Sequence, residues 1–141
     1  MRSRLFAVVA LVAPSLLGGC ELASGPGGPF ADVAGTWTYT GTQLTPTLSL
    51  AGTLIIDVQD RDLVLGSLSY SESNGIGSPV LDGGAVSGRV IGLEAADFDV
   101  LLTSGDRRHL ARISANGDTL VGEWQQSSTG EEGQFRATRN P

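Results

Sequence analysis

The sequence predicts an all-β domain: a single eight-stranded antiparallel up-and-down β-barrel over residues 32–141. Three observations carry that reading. From Asp32 onward, short runs alternate apolar and polar residues, the period of a half-buried strand. Gly, Asn, Asp or Ser interrupt the runs every roughly 8–14 residues, the spacing of successive hairpins. No apolar period of 3.6 persists over three turns, so no helix is expected.

The first strand is read as Val33 to Gly41, with Val33, Gly35, Trp37 and Tyr39 on one face and Thr36, Thr38 and Thr40 on the other. The second runs from Leu48 to Val58 and places Leu48, Leu50, Leu54, Ile56 and Val58 together. An Asp60-Arg61 turn leads to the third, Asp62 to Glu72, whose inward row is read as Leu63, Leu65, Ser67, Ser69 and Ser71. The fourth, Val80 to Leu93, contains Gly83, Gly84, Gly88 and Gly92, residues that suit bulges or sharp bends in a curved wall. The fifth, Ala96 to Leu102, points Phe98, Val100 and Leu102 inward. The sixth is Arg107 to Ser114, and Asn116-Gly117 follows as a hairpin dipeptide that tolerates positive φ. The seventh, Thr119 to Gln125, aligns Leu120, Gly122 and Trp124. The eighth, Gly133 to Arg139, aligns Phe135, Ala137 and Arg139.

Eight sequential strands with short connections favour closure, because a closed sheet has no unpaired edge. A membrane-spanning barrel would need an apolar outer face with aromatic girdles. The faces opposite the core instead carry Thr36, Thr38, Thr40, Ser49, Thr53, Asp57, Asp97, Asp99 and Glu123, which belong in water.

The N-terminal residues have a different texture. Arg2 and Arg4 precede an unbroken apolar stretch from Leu5 to Ala13, and small residues follow. This is the tripartite order of an export signal, and the stretch is shorter than the about 20 residues needed to span a bilayer. Leu17-Gly18-Gly19-Cys20 resembles the bacterial lipobox. That resemblance implies removal of residues 1–19, acylation of Cys20, and attachment to a membrane through its acyl chains. The same resemblance implies that Glu21, rather than Asp, at the following position favours the outer membrane where the source has one. A single chain binds membranes marginally, so two or three on one residue suffice for an anchor without a transmembrane helix. Residues 20–31, rich in Gly and Pro, then form a linker.

Composition bounds the function. The chain has 141 residues and a formal charge of −6. Without Arg2 and Arg4, seven bases face fifteen acids, a balance of about −8. That argues against nucleic acid as a partner, which requires clustered positive charge. Cys20 is the only cysteine, so once it is acylated no disulfide, Cys-based metal site or thiol nucleophile is available.

Gly35-Thr36-Trp37 at the start of the first strand resembles the Gly-x-Trp motif of the calycin group, the lipocalin- and avidin-like barrels. The resemblance implies that Trp37 closes one end of the barrel and that an arginine near the last strand packs across its ring. Arg139 is the candidate for this structural role, with Arg136 second. The second lipocalin signature, Thr-Asp-Tyr, is absent, and no ligand-contacting residue is carried over.

Other candidate sites are weak. His109 lies in the polar run Gly105 to His109 and is read as a solvated surface residue. Asp57, Asp60 and Asp62 crowd one hairpin without the spacing of a calcium loop. Glu94, Asp97 and Asp99 are read as solubilising charge. Trp37, Tyr39, Tyr70 and Trp124 are read as core, with a ligand cavity as the alternative. No catalytic, metal or cofactor residue is assigned. The expected role is a non-enzymatic, lipid-anchored envelope barrel that binds a small apolar ligand. The alternative is a protein-interaction or inhibitor module acting through the loops at 41–47 and 71–79.

Overall fold

The computed structural model describes residues 30–141. Cys20, the export signal and most of the linker therefore lie outside the described residues. Eight strands follow one another: β1 (Gly35–Gln43), β2 (Leu48–Asp60), β3 (Leu63–Ser73), β4 (Val80–Val90), β5 (Ala95–Leu102), β6 (Asp106–Ile113), β7 (Thr119–Gln126) and β8 (Glu132–Arg139). Each pairs antiparallel with its neighbours, and β1 pairs with β8 to close the barrel. The all-β, eight-stranded up-and-down architecture expected from the alternation is the one observed.

The strand directions define two ends. The β1 start, the β2–β3, β4–β5 and β6–β7 turns and the C-terminus form the floor. The β1–β2, β3–β4, β5–β6 and β7–β8 connections form the mouth. Closure leaves one interior, and every strand contributes alternate residues to it. The core includes Trp37, Leu54, Leu68, Val86, Phe98, Val100, Leu120, Trp124 and Phe135, all buried. Burying each large apolar side chain contributes roughly 1.5–3 kcal/mol, and this chain has no disulfide to assist.

The floor is sealed by cross-strand partners. Trp37 lies directly opposite Arg139 in the β1–β8 register. The Arg139 guanidinium sits over the Trp37 ring, 4.5 Å from its centroid, and donates to the carbonyls of Asp32, Ala34 and Gly117. Trp37 Nε1 donates to the Val33 carbonyl at 3.1 Å. The N-terminal approach is tied to the same end: the Ala31 amide donates to the Gly92 carbonyl and Gln59 donates to the Ala31 carbonyl. The linker thus reaches the barrel at its floor.

Four expectations about the strands are corrected. Val58, expected beside Leu54 and Ile56, is exposed, because a bulge leaves Asp57 unpaired: Ile56 pairs with Gly66 and Val58 with Leu65. The inward row of β3 is Val64, Leu68 and Tyr70, so Leu63, Leu65, Ser67 and Ser69 face out and Ser71 is only half-buried. The bulkier set fills the interior, and hydroxyls on the outer wall keep water as a partner. The long connections are also shorter than expected, 44–47 and 74–79, because β1 and β3 continue to Gln43 and Ser73. The fourth strand ends at Val90 rather than Leu93.

Candidate functional site

The mouth half of the interior differs chemically from the floor half. On β6 the alternation turns Arg107, His109, Ala111 and Ile113 inward and Asp106, Arg108, Leu110 and Arg112 outward. His109, expected on the surface, is fully buried. Its polar sequence neighbours suggest solvent, but parity with Ala111 and Ile113 sets its direction. The ring stacks on Phe98 at a 4.9 Å centroid distance and meets Phe135 edge-on. Nε2 and the Tyr39 hydroxyl are 3.1 Å apart.

Burial pushes the His109 pKa down to about 3, and the nearby Arg107 charge pushes the same way. A backbone interaction with Arg107 opposes both weakly. The ring is therefore neutral at pH 7. Burial likewise raises the Tyr39 and Tyr70 hydroxyls well above the usual tyrosine range, so both remain protonated.

Arg107 occupies the centre of this region with only 1% of its surface exposed. Its guanidinium carbon lies 3.8 Å from the Trp124 ring centroid and 4.9 Å from that of Tyr70. The side-chain carbonyl of Gln126 accepts from Nε at 3.3 Å and Nη2 at 2.9 Å. Glu72 accepts from Nη2 at 3.3 Å. Arg107 Nη1 and Trp124 Nε1 are buried and, among the described residues, meet no hydrogen-bond acceptor. An unmet buried donor costs about 1–3 kcal/mol, more for a charged group. A core selected for packing alone gains nothing from two of them on the paired strands β6 and β7.

The rim continues the polar theme. Gln43 donates to Glu131 at 3.0 Å. Asp82 accepts from the Gly83 amide, the Thr103 amide, Ser104 and Tyr70. Burial works to raise the Asp82 pKa, but these hydrogen bonds outweigh it and hold the carboxyl below its ordinary value. The signal for this site is present in the sequence as alternation through Arg107 and His109, but charge density obscures it.

Trp37, Tyr39, Tyr70 and Trp124 all pack within the barrel, Trp37 at the floor and the others in the mouth half. Gly133 makes room for Trp124: a Cβ there would lie 2.7 Å from Trp124 Cζ2 and 1.7 Å from the Thr42 carbonyl oxygen. Outside the barrel, grooves of about 340 and 480 Å³ follow β8 and share Glu123 and Gln134. Asp62 pairs with Arg89 at 3.0 Å, and Asp97 pairs with Arg108 on the outer wall. Glu94 and Asp99 are exposed, as are Asp57 and Asp60. Among the described residues, no three His, Cys, Asp or Glu side chains gather as a metal site.

No protein-family model and no curated protein matches the chain. Solved structures do. The redesigned β-barrel mFAP1, bound to DFHBI, aligns at a TM-score of 0.63 and 13% identity, covering 76% of this chain and 94% of that one. EF1p2_mFAP2b bound to DFHBI aligns at 0.61 and 13%, covering 77% and 94%. A de novo designed fluorescence-activating β-barrel aligns at 0.59 and 16%, covering 76% and 93%. What the chain shares with these designed proteins is the closed eight-stranded antiparallel barrel.

Proposed function

We propose that this chain is an exported, lipid-anchored protein of the bacterial cell envelope, with the outer membrane favoured, whose non-enzymatic barrel binds a small, mainly apolar molecule in its mouth half. The observation that carries the binding role is the mouth interior itself. Tyr70 and Trp124 flank the buried Arg107, Tyr39, Phe98 and Phe135 pack around His109 on the same strand, and among the described residues Arg107 Nη1 and Trp124 Nε1 have no acceptor. Aromatic walls with a few placed polar groups are the usual lining of a small-molecule site. Two of the designed neighbours hold DFHBI on this architecture.

The anchor reading rests on the Arg2–Cys20 pattern. Phe30 follows Cys20 by ten positions, a reach of roughly 35 Å at full extension. Ala31 meets the barrel at its floor, the end opposite the mouth. Membrane fractionation of Cys20→Ser tests the anchor: release into the soluble fraction is expected, and retention in the membrane sinks it. Native mass spectrometry of protein purified from its source tests the carrier role. A retained small molecule is expected; protein that is always empty counts against it.

A second reading is favoured by one observation. Ile76 and Leu81 are 83% and 81% exposed, beside Val80 and the β3–β4 connection at the mouth. Large apolar side chains held this far into water suit a protein partner gripped through the 74–79 loop. Ile76→Ser with Leu81→Ser should then abolish recovery of that partner from envelope extracts, and an unchanged recovery rejects it.

A further inference from the structure

The geometry points to Arg107 as a receptor for a small organic carboxylate, with the Glu72 side chain holding the ligand's place in the free protein; this rests on the small-molecule reading above. An arginine side chain is a donor without acceptor capacity, and so is the indole N–H. Three buried side-chain atoms lack a partner among the described residues, Arg107 Nη1, His109 Nδ1 and Trp124 Nε1, and the arginine and indole nitrogens, which can only donate, call for an acceptor. The guanidinium cannot turn away to find one in solvent. Trp124 and Tyr70 hold its faces, and Gln126 takes both Nε and Nη2.

Among the described residues Glu72 is the one carboxylate paired with Arg107, and its grip is loose. A single oxygen accepts from Nη2 at 3.3 Å, at the long edge of a charge-assisted bond, which is normally about 2.7–2.9 Å. Glu72 is also the partner able to leave. It is the penultimate residue of β3, its side chain is 23% exposed, and it adjoins the mouth connection at 74–79. A ligand carboxylate that replaces it can engage Arg107 bidentately and reach the unused Nη1. The charge count of the site is unchanged by the exchange, while one unmet donor is satisfied. The aromatic walls would hold a flat apolar body joined to that carboxylate. Glu72 thus sets a threshold: it keeps the buried cation paired until a stronger-binding carboxylate arrives.

The test uses the full chain titrated at pH 7 with benzoate and with benzamide, its neutral counterpart of similar shape, followed by calorimetry. Benzoate should bind on the order of tenfold more tightly than benzamide, since a hydrogen bond to a charged group is worth about that factor. Glu72→Gln removes the competing charge and should tighten benzoate by a further factor of about ten and benzamide by less, so that the preference for benzoate widens. Arg107→Met should erase the preference. The Trp124 indole N–H resonance, assigned by Trp124→Phe, should move with benzoate, and that of Trp37, already bonded to Val33, should not.

Equal affinities of Glu72→Gln for benzoate and benzamide would overturn the carboxylate inference and leave small-molecule binding standing. No saturable binding of either probe to Glu72→Gln, together with empty protein in native mass spectrometry, would overturn both. If Arg107→Met does not fold, the Glu72→Gln comparison decides alone.

Discussion

His109 should make this barrel lose stability as pH falls, well before general acid unfolding. In the folded chain the imidazole has a pKa of about 3, set first by burial and then by the Arg107 charge. In the unfolded chain it returns to about 6.5. Below that value the unfolded state takes up a proton that the folded state refuses. Stability from this group is therefore complete above about pH 7 and drains away between about 6.5 and 3. At 1.36 kcal/mol for each unit of difference, the loss is about 2 kcal/mol at pH 5 and about 3 kcal/mol at pH 4. Urea unfolding followed by tryptophan fluorescence measures it. With an m-value of about 1–2 kcal/mol/M for a domain of this size, the midpoint should fall by about 1–2 M between pH 7 and pH 5. His109→Gln keeps a neutral polar side chain and cannot titrate. It should lose much less over the same interval, and the remaining loss reports the carboxylates. Equal losses in the parent and the variant would refute the argument, and so would a parent loss below about 0.5 kcal/mol.

Arg139→Ala should destabilise by about 2–3 kcal/mol in the same assay, because it removes the cation over Trp37 together with bonds to three carbonyls; a change under about 0.5 kcal/mol would show that the floor is held by packing alone. Gly133→Ala should cost about 1–3 kcal/mol by driving a methyl into the Thr42 carbonyl and the Trp124 edge, and an unchanged midpoint would mean that the wall yields there without strain. The triple variant Arg107→Met, Glu72→Gln and Gln126→Leu should fold and gain about 1–3 kcal/mol in stability, since exchanging a buried charge and its partners for uncharged side chains removes a desolvation cost without leaving the Gln126 carbonyl unmet; a loss of that size would instead mark Arg107 as part of what holds the barrel together.

The alternation is enough to read strand number, turn positions and the inward rows of β1, β5, β7 and β8. In those strands one face is distinctly apolar: Phe98, Val100 and Leu102 sit opposite Asp97 and Asp99. It is not enough in β3, where Leu63 and Leu65 on one face compete with Val64, Leu68 and Tyr70 on the other. Nor is it enough in β6, where Arg107 and His109 share a face with Ala111 and Ile113.

By itself, then, the sequence determined that the chain alternates, turns and closes, since period-2 patterning and turn chemistry are local properties. It also set the net charge and the single cysteine on which the anchor reading depends. Only the tertiary structure decided which of two mixed faces is interior. The unpaired Asp57 reverses the facing of Val58, and pairing with β2 then commits β3 to Tyr70 rather than Ser69 and Ser71. Closure of β1 against β8 brings Trp37 opposite Arg139. The same closure encloses Arg107 between Trp124 and Tyr70, from strands that are not neighbours in the sheet. A site of that kind exists only across the barrel interior, where no local pattern reaches.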